Sequence, residues 1–198
     1  MKVLIQIVAF ITLFNISVNA QSDAEFYLQT GMDLINRDKD KSGMQYVKKA
    51  VDLGFAPAFT VYGLCFEKGW GTDVDMSTAV KWYKKAADKN DPDGLFALSR
   101  CYATDNNEGG VPTDLKKSFE LCKKAADKGQ PYAMSALALK YYNGTGCKQN
   151  KNLGRKLAIK AKDAGCSDAK ILIDAFDTAI DVLNEEIDEY KKENNDDN

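Results

Sequence analysis

Five cysteines and a complete lack of histidine limit the chemistry that this chain of 198 residues could perform. Without histidine there is no Ser-His-Asp or Cys-His nucleophile and no histidine metal site. We therefore expect a protein that is not an enzyme and that carries no cofactor or metal. The odd number of cysteines leaves at least one outside any disulfide within a monomer; they are Cys65, Cys101, Cys122, Cys147 and Cys166.

Two short motifs resemble metal-binding or catalytic sequences, but each lacks an essential member. Residues 38–43, DKDKSG, have the order that opens a calcium loop, yet Lys49 occupies the twelfth position, where a bidentate glutamate is required. Ser167 and Lys170 have the S-x-x-K spacing of penicillin-binding enzymes, without the accompanying S-D-N and K-T-G motifs. A helix-capping turn is the favoured interpretation at both places.

The first 20 residues have the pattern of a secretory signal peptide. Lys2 precedes a mostly apolar run that ends at Phe14, and small residues stand at Val18 and Ala20, the −3 and −1 positions of a cleavage site. The alternative is a retained anchor helix, but the run is shorter than the roughly 20 residues of a bilayer span. We expect cleavage after Ala20, a secreted or periplasmic protein, and no stable membrane insertion afterwards.

An internal repeat organises the rest of the chain. Similar seven-residue blocks carry alanines separated by 36, 39 and 36 residues, namely Ala50, Ala86, Ala125 and Ala161. Seven residues before each stands another small residue, namely Gly43, Ala79, Ser118 and Gly154. Helical spacing of apolar residues, interrupted by turn residues, predicts two helices in each repeat. Small residues let paired helices approach closely, and stacked pairs share one continuous core.

The repeats occupy residues 22–55, 56–91, 92–130 and 131–167. Residues 168–192 follow them with an apolar stripe that includes Leu172 and Phe176, and this stripe predicts an amphipathic helix that caps the open end of the stack. Residues 193–198 are predicted to form a disordered acidic tail.

The repeat resembles the Sel-1-like repeat family, a subclass of the tetratricopeptide-like helical repeats. In the second repeat the resemblance rests on Ala58, Tyr62, Gly63, Phe66, Gly69, Gly71, Asp75, Ala79, Trp82, Tyr83, Ala86 and Ala87. It implies an all-α, right-handed superhelix with the first helix of each repeat along a concave face. It also implies a scaffold or adaptor role, often in secretory or envelope compartments, although some cysteine-rich relatives are associated with β-lactam binding.

The repeat also restricts how the cysteines could pair. Equivalent positions in neighbouring repeats, such as Cys65 and Cys101, are expected to lie about 10 Å apart, beyond the roughly 7 Å that a disulfide spans. Cys101 and Cys122 are predicted on the two helices of the third repeat and are the better pair. Cys147 and Cys166 flank one helix, and Cys166 is the first candidate for a free thiol. Buried apolar cysteines are an equally weighted alternative.

The predicted concave face supplies the candidate binding residues. Within the first helices, the side chains predicted to point away from the core are Thr60, Leu64, Glu67, Phe96, Arg100, Ser135, Leu139 and Tyr142. Several are apolar or aromatic, and together with the arginine they resemble an interaction hot spot. The alternative is that the superhelix curls enough for them to pack on neighbouring repeats.

A net charge of −2 argues against nucleic-acid binding. The lysine pairs at 48/49, 84/85 and 123/124 could form a basic ridge, but a solvated helix face is the commoner case. We expect a non-enzymatic scaffold that binds a protein or peptide outside the cytoplasm. The alternatives are a small-ligand-binding or β-lactam-processing enzyme and an assembly factor for an envelope complex.

Overall fold

The computed structural model consists of helices joined by short loops, with no strand among the residues it describes, which are 2–38, 41–104, 108–179, 182 and 186. For residues 2–18, 38 and 108 only the backbone is described. The helices are α1 (Lys2–Asp38), α2 (Lys41–Asp52), α3 (Ala56–Lys68), α4 (Met76–Asp88), α5 (Pro92–Ala103), α6 (Leu115–Asp127), α7 (Pro131–Asn143), α8 (Lys151–Asp163) and α9 (residues 169–179). A 3-10 turn, Glu108–Gly110, lies between α5 and α6.

Consecutive helices pack against each other, as the repeat predicts. The chain divides into two compact units, Met1–Thr113 and Asp114–Asn198, and the division falls inside the third repeat. In the first unit α1 packs on α2, α3 on α4, and α4 on α5, with further contacts from α2 to α3 and from α3 to α5. In the second unit α7 packs on both α6 and α8. The all-α helix-pair fold predicted from the sequence is therefore confirmed.

The repeated small residues lie where the helices approach most closely. All eight are buried, and so are the small residues eight positions after each repeated alanine, Ala58, Gly94, Ala133 and Ala169. A Cβ atom added to Gly43 would lie 2.8 Å from the carbonyl oxygen of Gly31 on α1. Contacts this close leave no room for a larger side chain. Small residues therefore recur once in each repeat because each repeat contains the same close contact between helices.

Polar side chains at one position of the repeat begin the second helix in the second, third and fourth pairs. The side chains of Asp75, Asp114 and Asn150 each accept a hydrogen bond from the backbone N–H three residues later. This satisfies one of the amide groups that a helix leaves unpaired at its start. Gly69 and Gly144 end α3 and α7 with φ values of 70° and 75°, a left-handed conformation that favours glycine. Gly71 and Gly146, two residues later in each case, have φ values of 74° and 73°, so each Gly-x-Gly pair forms a helix-ending turn.

The last described helix, α9, packs on the fourth repeat. The ring of Phe176, which is 3% exposed, stacks on Tyr142 at a centroid distance of 3.9 Å. Leu172 packs against the same cluster, which includes Ala138 and Ala158. The positions of the predicted stripe beyond α9 lie outside the described residues, which there include only 182 and 186, and so does the predicted tail, 193–198.

Helix α1 continues through Ala20, the residue at which we predict cleavage. Over the residues that the structure describes, no helix is both long and apolar enough to cross a membrane.

Candidate partner-binding groove

A groove of about 350 Å³ lies on the first compact unit, where α1, α3 and α5 run side by side. Each helix contributes residues spaced by three, four or seven positions, which is the spacing of one helix face. The apolar lining side chains include Leu28 and Met32 from α1, Val61 and Leu64 from α3, and Phe96 from α5. Arg100 and Asp93 of α5 also line it. We call this cavity the groove.

Four of the predicted binding residues line the groove, namely Thr60, Leu64, Phe96 and Arg100. Leu64 and Phe96 are half-buried, and the side chain of Arg100 is 53% exposed. The α1 wall, formed by Leu28 and Met32, was absent from our prediction because the first repeat matches the pattern too weakly to place its outward positions. The four-residue spacing of Leu28 and Met32 could have indicated an apolar face on this helix.

Thr60 lines the groove, but most of it is buried rather than outward-facing as predicted. It is 5% exposed, and its hydroxyl donates a hydrogen bond of 2.7 Å to Oδ2 of Asp91. The same carboxylate oxygen accepts from the backbone N–H of Gly94 and begins α5. Thr60 therefore joins α3 to the start of α5 at the wall of the groove, and it is buried because α5 packs against this side of α3.

Glu67 is also mostly buried, contrary to the prediction, with 10% of its side chain exposed. Its carboxylate accepts a 2.6 Å hydrogen bond from the Tyr83 hydroxyl and pairs with Lys68 at 2.8 Å and Arg100 at 3.4 Å. Burial on its own would raise the pKa of Glu67, but the bonds from Lys68 and Tyr83 outweigh it, so the pKa lies below its ordinary value. Glu67 thereby links α3, α4 and α5.

The remaining predicted binding residues belong to α7, in the second compact unit. Leu139 is 44% exposed and Ser135 is half-buried. Tyr142 is covered on one side by the Phe176 ring of α9, the helix that follows the fourth repeat.

The structure contains no disulfide among the five cysteines. The sequence favours a disulfide between Cys101 and Cys122. Cys101 lies in the first compact unit and Cys122 in the second, and both are free thiols in the structure. Four cysteines are buried, including Cys166, and Cys147 is half-buried. Burial raises the pKa of both Cys65 and Cys101 to about 11. These two thiols therefore stay protonated at neutral pH and are poor nucleophiles.

A serine–lysine pair in the second compact unit was missed in the sequence. The Nζ atom of Lys140 donates a 2.8 Å hydrogen bond to Oγ of Ser118, and burial lowers the pKa of Lys140. A lysine of lowered pKa beside a serine is an arrangement that can activate a nucleophile without histidine. Ser118 is 0% exposed, however, so no substrate can reach its hydroxyl. The pair joins α6 to α7.

Residues of the two short motifs make local contacts. Lys49, in the twelfth position of the calcium-like segment, lies in α2 with its Nζ atom 4.6 Å from the Tyr46 ring centroid, and residues 39 and 40 lie outside the described residues. Ser167 precedes α9, and its hydroxyl donates to Oδ1 of Asp168. In the described part of the chain, no cluster of three or more metal-binding side chains occurs.

The recurring lysines also find partners in the first compact unit. Lys85 Nζ lies 3.9 Å from the centroid of the Trp82 ring, and Lys48 pairs with Asp52 at 2.8 Å. These contacts within single helices account for one lysine of the first pair and one of the second without a ligand.

Comparison with known proteins agrees with the resemblance seen in the sequence. The family profile described as Sel1 repeat matches residues 24–55, 61–91, 92–130 and 131–166. No curated protein sequence is significantly similar to the chain.

Several solved structures share the fold. A Sel1 repeat protein from Oxalobacter formigenes is 26% identical with a TM-score of 0.67, over 76% of this chain and 62% of that one. The protein c5321 of uropathogenic Escherichia coli, described as a protective antigen with an SLR fold, is 28% identical with a TM-score of 0.63, over 77% of this chain and 33% of that one. Cysteine-rich protein B of Helicobacter pylori, at 22% identity and a TM-score of 0.52, covers 65% of this chain and 96% of its own, and it supports the fold alone.

The chain thus spans less than two thirds of the length of the first two of these proteins. Four consecutive profile matches cover more than half of the chain, and they coincide with the helix pairs described above. The chain belongs to the Sel1 repeat family.

Proposed function

We propose that this protein is a non-enzymatic interaction scaffold that acts outside the cytoplasm and binds a protein partner in the groove. Sel1 repeat proteins are generally protein-interaction scaffolds. The observation that carries the proposal is the set of apolar side chains, Met32, Leu64 and Phe96, that three separate helices turn into one open cavity. Apolar side chains gathered beside a polar rim are typical of protein-binding surfaces.

Two further observations support this proposal. Arg100 borders the groove with half of its side chain exposed, and arginine is enriched among residues that dominate binding energy. The signal-peptide pattern at residues 1–20 supports the location outside the cytoplasm.

Site-specific photocrosslinking in the producing cells tests the proposal. A photoreactive phenylalanine analogue at position 96 should crosslink to one partner protein, identified by mass spectrometry of the adduct. The same analogue at Phe26, which is 64% exposed on α1 in the same unit and does not line the groove, is the matched control. Equal adducts at both positions, or none at position 96, would contradict a partner in the groove.

A further inference from the structure

The buried part of α1 begins shortly after the predicted cleavage site. Among the side chains of this helix that the structure describes, those at positions 19–23 are exposed or half-buried, and the buried residues are Ala24, Leu28, Gly31 and Ile35. Ala24 is 2% exposed, whereas Gln21 is exposed. Removal of residues 1–20 therefore leaves the buried residues of α1 in place and makes Gln21 an accessible first residue.

The sequence after the predicted cut contains its own signal for the start of a helix. Helical geometry pairs the N–H groups of residues 21–24 with the carbonyl groups of residues 17–20, and cleavage removes those carbonyls. Ser22 and Glu25 have the S-x-x-E spacing of a capping box, in which the hydroxyl and carboxylate oxygens each accept a hydrogen bond from the other residue's backbone N–H. We expect Ser22 to cap the shortened helix, with Gln21 outside it.

The side-chain amide of Gln21 is accessible to its own backbone. Its Nε2 atom donates a 3.2 Å hydrogen bond to Oε1 of Glu25, one turn later, and both residues are exposed. Gln21 also lines an open cavity of about 370 Å³ beside Leu53 and Pro57, at the connection between α2 and α3. Once the helix starts at Ser22, the backbone of Gln21 is released from helical geometry, and its α-amine and side-chain amide can meet.

We propose that the mature protein carries pyroglutamate at position 21, formed by cyclisation of Gln21 after the signal peptide is removed. This inference rests on the part of the proposed function that places the protein outside the cytoplasm. The uncharged α-amine nitrogen attacks Cδ of the side-chain amide, so that the N–Cδ bond forms and the Cδ–Nε2 bond breaks. Nε2 leaves as ammonia and takes the proton that the amine gives up. The step needs no oxidant, reductant or cofactor, because it closes a five-membered ring within one residue.

The charge at the start of the helix favours this modification. A free α-ammonium group at a helix N-terminus has the same sign as the positive end of the helix dipole, whereas the lactam is uncharged. Asp23 and Glu25, in the first turn of the shortened helix, supply the negative charge that this end prefers. A neutral ring also loses less water than an ammonium group would beside Leu53, which is 47% exposed.

Tryptic peptide mapping of the protein exported by the producing cells tests the inference. No lysine or arginine lies between Gln21 and Arg37, so the mature protein yields its first 17 residues, 21–37, as one peptide. We expect the mass of this peptide to be lower than that of the unmodified sequence by one ammonia, with fragment ions that place the loss at residue 21. Pyroglutamyl aminopeptidase should then remove residue 21 and expose the amine of Ser22.

The same peptide contains a matched control. Gln29 donates from Nε2 to Oδ1 of Asp33 at 3.0 Å, in the same exposed one-turn arrangement as Gln21 with Glu25, but its backbone nitrogen lies in a peptide bond. It should therefore keep its ammonia. The variant Gln21→Ala should be exported and cleaved like the wild type, without the loss of mass and with a free α-amine.

An isotope-labelled synthetic peptide of residues 21–37 with an uncyclised glutamine, added when the cells are harvested, reports on cyclisation during preparation. If it loses ammonia to the same extent as the protein, the modification arises after export and the inference is overturned. If it stays intact while the protein's peptide is cyclised, the inference is supported.

The position of the first residue separates this inference from the proposed function. A peptide 21–37 of full mass overturns the pyroglutamate and leaves the location outside the cytoplasm standing. A peptide that starts at Val3, the residue after Lys2, shows that the first segment is retained, and it overturns both the modification and the cleavage on which it rests. The crosslink from position 96 tests the groove independently of either result.

Discussion

The hydroxyl of Tyr83 donates a hydrogen bond of 2.6 Å to Oε2 of Glu67, and it joins the two helices of the second repeat at a buried point. Tyr83 is 0% exposed, and Arg100 of the third repeat reaches the other oxygen of the same carboxylate. Glu67 of α3 thus links α3 to both α4 and α5. The groove opens beside this contact, so its shape depends on Glu67.

We expect Glu67→Gln to destabilise the protein by about 1–3 kcal/mol at pH 7, because it weakens hydrogen bonds at a buried charged group. The pKa of Glu67 in the folded protein lies below its ordinary value of 4.5. The carboxylate therefore stabilises the fold above about pH 4.5, and this contribution is lost as the pH falls through the folded pKa. Urea unfolding between pH 7 and pH 3 measures it.

The variant should accordingly lose less stability than the wild type below pH 4.5. Asp52→Asn is the control, because Asp52 is 62% exposed in its pair with Lys48 and such pairs contribute at most about 1 kcal/mol. If the free energy of unfolding falls equally with pH in the wild type and in Glu67→Gln, the loss of stability in acid does not come from Glu67.

Gly94→Ala should destabilise the protein by about 1–3 kcal/mol, although alanine is the better helix former. A Cβ atom at Gly94 would lie 2.3 Å from Cβ of Ala86 and 2.9 Å from Oγ1 of Thr60. Gly129→Ala is the comparison, because a Cβ there meets nothing within 4 Å and only its φ of 90° is unfavourable. Thermal unfolding of both variants checks the prediction, and a stabilised Gly94→Ala would show that α4 and α5 can move apart at little cost.

Phe176→Ala should cost about 3–5 kcal/mol, the usual range for removing a buried phenylalanine. The ring is 3% exposed and stacks on Tyr142, so its loss opens a cavity between α9 and α7. Ile171→Ala, at a 73% exposed position of the same helix, should change stability by less than about 0.5 kcal/mol. Equal effects in a denaturant titration would mean that α9 does not cover the fourth repeat.

Phe96→Ala should weaken capture of the partner by about 1–3 kcal/mol with little change in stability, because Phe96 is half-buried and lines the groove. Leu95→Ala, one position earlier and 2% exposed, should instead cost about 2–5 kcal/mol of stability. Quantitative pull-down of the crosslinked partner, alongside a melting curve, separates the two effects. If Phe96→Ala unfolds the protein as much as Leu95→Ala does, Phe96 belongs to the core.

The mature protein should begin at Gln21, because the small residues at positions 18 and 20 fit a signal-peptidase site. Intact-mass measurement of the exported protein determines its first residue. A mass that still includes residues 1–20 would indicate a retained α1 and no cleavage.

The sequence by itself determined the features that are local or that recur. Asp75 begins a helix through its own neighbours, and Gly69 ends one through its own φ, so neither needs the rest of the fold to be recognised. Ala50 and its repeated equivalents were identifiable as helix contacts because four copies of one close approach require the same small residue four times.

Only the tertiary structure decided which outward positions remain open. Helical spacing separates one face of a helix from the other, but a helix in a stack has neighbours on several sides. Thr60 is covered because Asp91, 31 residues later in the chain, lies against it, and Glu67 is covered because Tyr83 and Arg100 converge on it. Leu64 and Phe96 are not covered in this way, and they line a groove to which Met32 of the first repeat also contributes. Such convergence depends on where separate helices stop and cross, which the period of a single helix does not specify.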